Sequence, residues 1–350
     1  MSYIKNTFIN FKDLLIRSIS VIKVIIKQFS ITNLKYFFTI ELKNIKAKLH
    51  NLNGTNWNLA QYHLVAGNYN DAIMRFKILQ KRHYKEIECQ YFLGRIYLEK
   101  NNFIKAKIYL NQYLSSDDNH YQIEAQYCLA IMNHSEVSFI PYRIICDKRD
   151  RIAFNLDKTN IDISLINRYY AIIGCLKPEI TTNAKIFEIG CYIGILGRMI
   201  KEIFANSIDC YNGSEIGYEA GAVAQEIYLN NKYVYDEIYL CNDISQLISD
   251  QDSYSIVLIP DILAYYSDLS NIFMNTYKAL KINGTVIIVT RIIKKDLNIE
   301  QGKNIEFLHP IEEFIYSYDY IIQLAKSCGL QLKNSNDIGD GFELFIFKKI

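Results

Sequence analysis

The residues of this chain best suited to chemistry are acids and glycines that recur at the ends of short apolar runs. The stretch Lys185-Ile-Phe-Glu-Ile-Gly-Cys-Tyr-Ile-Gly-Ile-Leu-Gly197 reads as strand, tight loop and helix start. Ile186, Phe187 and Ile189 bracket Glu188 as a buried parallel strand would, and Gly190 and Gly194 let the backbone turn and approach a ligand closely. The amides that open the following helix suit an anionic or polar ligand. Two glycines in a turn are a weak signal alone, but the chain repeats the pattern. A second run, Ile208 to Glu215, ends in an acid; a third, Glu237 to Leu240, leads into Cys-Asn-Asp243; a fourth, Tyr254 to Asp261, is closed by Pro260 and Asp261. In a doubly wound sheet these acids share one edge, where an acid ending the second strand can accept both hydroxyls of a ribose and one ending the third can meet an adenine amino group. The spacing Gly190-x-x-x-Gly194-x-x-Gly197 is not the Gly-x-Gly-x-x-Gly of a dinucleotide turn, which disfavours a nicotinamide dehydrogenase.

The elements that must position these residues alternate between strand and helix, the pattern of an α/β domain. Helical spacing covers Leu196 to Phe204, Tyr218 to Leu229 and Leu269 to Leu280. Lys281-Ile-Asn-Gly284 reads as a turn, Thr285 to Thr290 as a buried β-branched strand, and Gly-Leu-Gln-Leu332 with Phe342 to Phe347 as the last two strands.

Ahead of this domain, residues 57–134 repeat with a shift of 34. Ala60 falls on Gly94, Ala72 on Ala106 and Phe76 on Leu110, and Gly67-Asn-Tyr69 falls on Asn101-Asn-Phe103. Small residues at such places let paired helices approach, and large ones fill the groove between them. These residues resemble the tetratricopeptide repeat, with two good copies and a third that opens at Tyr127-Cys128 and fades; an ordinary helical hairpin domain is the alternative. The resemblance implies a concave face that holds a peptide, a protein partner or the neighbouring domain, with Tyr62, Arg95 and Tyr97 on it. Pro141, the charge-dense stretch Asp147 to Arg151 and Pro178 read as breaks in the connection that follows, and Ile161 to Leu176 has helical spacing. The expected layout is a basic amphipathic segment at 1–50, helical repeats at 51–139, a helical linker at 140–179 and the α/β domain at 180–350.

The order of motifs in that last domain resembles a class I S-adenosylmethionine-dependent methyltransferase. It rests on Phe-Glu-Ile-Gly-Cys-Tyr-Ile-Gly194, Tyr-Asn-Gly-Ser-Glu215-Ile, Asn-Asp243, Val-Leu-Ile-Pro-Asp261-Ile-Leu and Ala-Leu-Lys-Ile-Asn-Gly284-Thr-Val-Ile-Ile. With the repeats, the chain resembles predicted methyltransferases that carry an N-terminal tetratricopeptide region. The fold so implied is a Rossmann-like seven-stranded α/β domain preceded by an all-α repeat domain. The cofactor implied is S-adenosyl-L-methionine. Glu188, Gly190 and Gly194 would frame its methionine end, with Cys191 beside them. Glu215 with Ile216 would take the ribose, Asp243 with Ile244 the adenine, and Asp261 would lie near the sulfonium. Tyr192 stands where the family usually has glycine, and Asn283 replaces the usual first glycine of the late turn. Tyr265, Tyr266 and His309 are the candidates for lining the acceptor pocket, Tyr265 first because many family members have a histidine there. Methyl transfer from a sulfonium depends on alignment more than on acid–base groups, so no catalytic residue is singled out. The alternative function is a catalytically decayed relative acting as a binding scaffold through its repeats.

Composition bounds these readings. With 50% hydrophobic and 22% charged residues the chain is globular, and 39 Lys and Arg against 37 Asp and Glu give no field that indicates nucleic acid. Eight cysteines without a Cys-x-x-Cys pair and six histidines without ligand spacing indicate neither a metal site nor a disulfide framework, which fits a cytoplasmic protein. The first 50 residues carry eight Lys and one Arg against Asp13 and Glu41. Within 1–30, Phe8, Phe11, Leu15, Ile19, Ile22 and Ile26 form one helical stripe beside Lys5, Lys12, Lys23 and Lys27. That helix reads either as packing on the next domain or as lying on an anionic membrane surface; its charges interrupt the apolar run too often for it to span a bilayer.

Overall fold

The structure is a computed structural model that describes residues 51–155, 162–240, 252–293, 303–309 and 311–350. The basic segment 1–50, with the membrane reading placed on it, and the adenine-side candidates Asp243 and Ile244 lie outside the described residues. The chain divides into two units, Met1–Leu59 and Ala60–Ile350. Of the first, only residues 51–59 are described, and they turn into the opening of helix α1 (Leu52–Val65).

In the second unit, α1 is followed by α2 (Tyr69–Lys81), α3 (Glu86–Glu99), α4 (Phe103–Leu114) and α5 (Gln122–Asn133). The helix starts Leu52 and Glu86, and Tyr69 and Phe103, stand the same 34 residues apart that the repeat predicts. Burial follows the same step. Ala72, Phe76 and Leu79 of α2 are buried at i, i+4 and i+7, and Ala106, Leu110 and Tyr113 of α4 are buried at the matching places. Such a stripe is the face a helix hides against its neighbour. Gly94 shows why the predicted small positions are small, since a Cβ there would come within 2.6 Å of Leu110 Cγ.

The segment 140–179 holds two helices, α6 (Tyr142–Ala153) and α7 (Ile163–Leu176). The charge-dense stretch Asp147 to Arg151 is no break; it is the middle of α6, and its charges are accommodated because each finds a partner in the fold. Pro141 does bound this helix, occupying its N-cap position. Helix α7 packs Leu165, Tyr169, Ile172, Ile173 and Leu176 against one face of the sheet, where they meet Ile186, Leu258, Ile287 and Leu344.

Seven strands form the main sheet: β1 (Ala184–Ile189), β2 (Ile208–Glu215), β5 (Glu237–Leu240), β6 (Tyr254–Ile259), β7 (Leu280–Arg291), β10 (Leu330–Gly339) and β11 (Phe342–Lys349). Their order is β10-β11-β7-β6-β1-β2-β5. The five strands from β7 to β5 pair in parallel, and β11 and β10 add antiparallel pairs at one side. Helices α8 (Ile195–Phe204), α9 (Tyr218–Gln225), α10 (Ser270–Ala279) and α11 (Tyr318–Ser327) connect them. The sheet is seven-stranded and mostly parallel, as the resemblance implies.

Three local differences from the sequence reading have physical causes. The helix expected to run to Leu229 stops at Gln225, because Asn230 and Asn231 both take positive φ and close a hairpin of β3 (Tyr228–Leu229) and β4 (Lys232–Tyr233). The turn expected at Lys281–Gly284 lies inside β7 as a bulge: Tyr254 pairs with Leu280 and Ile256 already with Thr285. Asn283 has φ 63° there, a conformation that asparagine tolerates, so the missing glycine costs the fold little. A second hairpin, β8 (Ile305–Leu308) with β9 (Glu313–Tyr316), was not expected.

Gly94→Ala tests the repeat packing. Helix propensity alone would favour alanine by about 1 kcal/mol, but overpacking against Leu110 costs about 1–3 kcal/mol, so thermal unfolding should show a net loss. In a Leu110→Ala background the same change should destabilise much less, because the colliding side chain is gone and only the position-110 amide nitrogen, 3.2 Å from the new Cβ, stays close.

Candidate functional site

The C-terminal edge of the parallel strands is built by the loop after β1, the end of β2 and the start of the segment after β6. The loop is pinned from below, because the Gly190 and Cys191 amides both donate to the Ser214 carbonyl at 2.9 Å. Gly190 has φ 77°, and a Cβ there would stand 2.7 Å from Ile262 Cβ, so both conformation and space select glycine. Gly194 is the N-cap of α8. Cys191 is buried in the core beneath the loop, and Ile216 is buried just past Glu215.

Glu215 is fully buried at the end of β2. Its Oε1 accepts from Arg149 Nε at 2.8 Å and from the Gly217 amide at 3.0 Å; its Oε2 accepts from Arg149 Nη2 at 2.6 Å and from the Tyr192 amide at 2.6 Å. Four donors fill the roughly four acceptor directions of an ionised carboxylate. The same guanidinium reaches the Gly190 carbonyl with Nη2 at 3.1 Å and Asp261 Oδ1 with Nη1 at 3.0 Å. Arg149 therefore gauges the edge: one side chain, 2% exposed, touches the glycine loop and two of the strand-end acids. Burial alone would favour the neutral guanidine, but Asp261 and Glu215 more than offset it and hold Arg149 charged.

The ring of Tyr192 lies over that guanidinium, with Arg149 Cζ 4.5 Å from the ring centroid. Tyr192 takes φ 54°, the left-handed conformation that a glycine would adopt without cost. Its side chain thus covers the edge from above. Burial and the neighbouring carboxylates raise its phenol.

Arg149 is delivered by α6, whose polar residues point in separate directions. Toward β2 and α9, Cys146 Sγ donates to the Ile216 carbonyl and Asp150 Oδ1 accepts from the Ala220 amide at 3.0 Å. Asp150 thereby caps α9, whose own N-cap residue, Gly217, has no side chain to do so. Burial pushes the Asp150 carboxyl up to about 6. A Cβ on Gly217 would meet Asp150 Oδ1 at 2.6 Å and Arg149 Cβ at 2.8 Å, so α6 lies against bare backbone there. Toward the helical repeats, Asp147 accepts from Arg95 at 2.5 Å, and Arg151 makes two hydrogen bonds to Glu99. Lys148 pairs with Glu312 at 2.6 Å.

The expected face residues divide accordingly. Arg95 holds α6 through Asp147, and Tyr62 packs edge-on against Phe154 just after α6. Tyr97 instead stacks on Tyr109 within the α3–α4 pair. Sequence reasoning missed Arg149, Asp150 and Asp147; the only trace of them was a charge run inside an otherwise apolar neighbourhood.

Of the remaining candidates, Glu188 sits below the loop. It is fully buried on β1, its Oε2 accepts from the hydroxyls of Tyr211 at 2.7 Å and Tyr235 at 2.8 Å, and burial pushes its carboxyl up to about 8. Tyr265 closes the 3-10 turn Ile262–Tyr265 directly after Asp261, and burial pushes its phenol up to about 12. Tyr266 follows, and its carbonyl and that of Leu263 both lie 2.5 Å from the Tyr316 hydroxyl, which ties this segment to β9. His309 stands in a different place, packing edge-on against His134 and lining a cavity of about 310 Å³ with Arg95, Tyr127, Lys148 and Glu312. Among the described residues no group of three or more His, Cys, Asp or Glu is arranged to hold a metal ion, and no helix is long and apolar enough to cross a membrane.

The resemblance assigns the Glu215 carboxylate to the ribose of an adenosine cofactor. Glu215, the Gly190 loop and Asp261 share one edge, but with Arg149 in place they do not fit the cofactor, because the guanidinium takes two acceptor directions of Glu215 and the Tyr192 and Gly217 amides take the other two.

No family model and no curated protein sequence matches this chain. Solved structures do resemble it. An S-adenosylmethionine-dependent methyltransferase from Mesorhizobium loti shares 14% identity at a TM-score of 0.42, over 52% of this chain and 97% of that one. A Burkholderia thailandensis 1,6-didemethyltoxoflavin-N1-methyltransferase, with bound 1,6-didemethyltoxoflavin and S-adenosylhomocysteine, shares 10% at 0.44 over 61% and 92%. The [4+2]-cyclase SpnF shares 9% at 0.43 over 51% and 80%.

The raised Glu188 carboxyl gives a pH signature. Its native value of about 8 lies above the ordinary 4.5, so between these the native state holds a proton that the unfolded chain has released. Stability should therefore fall as pH rises through that window and level off above it, each unit of separation being worth about 1.4 kcal/mol. Glu188→Gln removes the titration. The variant's melting temperature should gain on the wild type steadily from pH 5 to pH 8, and a constant difference would show that Glu188 is ionised in the folded protein.

Proposed function

We propose that the chain is an S-adenosylmethionine-dependent methyltransferase whose cofactor edge is the one touched by Arg149, with the helical repeats, of tetratricopeptide type, placed to recruit a partner or the methyl acceptor. The observation that carries this reading is the convergence of the Gly190 carbonyl, the Glu215 carboxylate and the Asp261 carboxylate within 3.1 Å of one guanidinium. A glycine loop and acids ending successive parallel strands meet at one edge, the place where open α/β sheets bind ligands. In this reading Glu215 binds the ribose diol, Asp261 and Tyr265 line the side where the methyl group leaves, and the acceptor class is left open. The same geometry favours a second reading, a binding scaffold of methyltransferase ancestry, in which Arg149 and Tyr192 fill the edge permanently.

Calorimetric titration with S-adenosylhomocysteine tests the first reading. In an Arg149→Ala background, where Glu215 no longer holds a guanidinium, the ligand should bind. Adding Glu215→Ala should then weaken it about ten- to a hundredfold, the effect of losing roughly 1.5–3 kcal/mol of charge-assisted hydrogen bonding. A folded Arg149→Ala chain that binds nothing at millimolar ligand would leave the scaffold reading standing.

A further inference from the structure

The conflict between Arg149 and a ribose at Glu215 is specific in its geometry. Nε and Nη2 are adjacent, coplanar donors that reach the two oxygens of one carboxylate at 2.8 and 2.6 Å. A vicinal diol donating both O–H groups to a carboxylate makes the same two-pronged contact. The remaining guanidinium nitrogen and the tyrosine ring above it extend this occupation to Asp261 and to the glycine loop.

We infer that α6 is an internal plug: the Arg149 guanidinium stands in for the ribose diol, and a nucleoside ligand reaches Glu215 only when α6 withdraws. The inference rests on the cofactor reading above and adds how that site is controlled. Two features suit α6 to this task. It is a 12-residue helix whose hydrogen bonds to the sheet domain run through three side chains, Cys146, Arg149 and Asp150. Its opposite side is held by the repeats through Arg95–Asp147 and Glu99–Arg151, so a change at the repeat face moves the same helix that blocks the edge. Gly217 completes the seat, since any side chain there would push into Arg149 and Asp150.

A ligand that binds only the open form has its apparent affinity reduced by the fraction of molecules that are open. Relieving the plug should therefore tighten binding, against the usual effect of mutating a buried ion pair. The test measures S-adenosylhomocysteine affinity for the full chain as wild type, Arg149→Ala and Gly217→Ala, with circular dichroism confirming the fold. Alkylation of Cys146, followed by mass spectrometry, reports withdrawal of α6 independently of any ligand. Gly217 has φ −75°, so alanine is conformationally acceptable there and acts chiefly by crowding α6, its next contact being Ala220 Cβ at 3.3 Å. Both variants should alkylate faster at Cys146 and bind about tenfold or more tightly than wild type. Equal binding by all three chains would overturn the plug while upholding the cofactor reading. Faster alkylation with no binding in either variant would overturn both, because the uncovered edge would then take no nucleoside.

Discussion

A buried guanidinium shared between Glu215 and Asp261 is the constraint around which the rest of this structure is arranged. Removing one partner of such a pair costs about 3–5 kcal/mol, because the other charge is left without water or counter-charge. The sheet can end two strands in acids and bury one of them only because α6 brings a cation to them. Helix α6 can carry Arg149 inward only because its other charges are satisfied elsewhere, by Arg95, Glu99, Glu312 and the Ala220 amide. The repeats, α6 and the C-terminal edge of the parallel strands thus form one electrostatic chain.

That chain also explains one of the two departures from the glycine pattern of the family the sequence resembles. Tyr192 in a left-handed conformation is a local cost, offset here by a ring that stacks on the guanidinium and an amide that donates to Glu215. Asn283, by contrast, lies in the β7 bulge and joins no contact to the edge; its carbonyl accepts from Lys348. One departure belongs to the site and the other to strand pairing.

Much of the sheet was legible because a buried parallel strand is a short apolar run with an abrupt polar end. Ile208 to Glu215 and Glu237 to Leu240 have the expected limits, and the run from Tyr254 begins where expected but ends at Ile259, before Pro260. The repeat was legible because helix pairs that stack must place small and large residues at a fixed step, as Gly94 against Leu110 shows. What was not legible is long-range charge pairing. Asp147 to Arg151 looks like a solvated break when neighbours in sequence are the only guide, since the partners of Arg149 lie 66 and 112 residues away. Glu215 and Asp261 could be placed at strand ends by sequence; the cation they share could not.

The cap on α9 has a consequence for the order in which the molecule assembles. Asp150 precedes the amide it satisfies by 70 residues, so synthesis from the N-terminus produces α6 well before β2 and α9 exist. The repeats that hold Asp147 and Arg151 are earlier still, and together they can present Arg149 and Asp150 as a ready surface. The nascent β2 then meets a template that offers a counter-ion for its terminal acid and an end-stop for its next helix. A circularly permuted chain, made with the sheet first, would have to bury Glu215 before its cation had been translated.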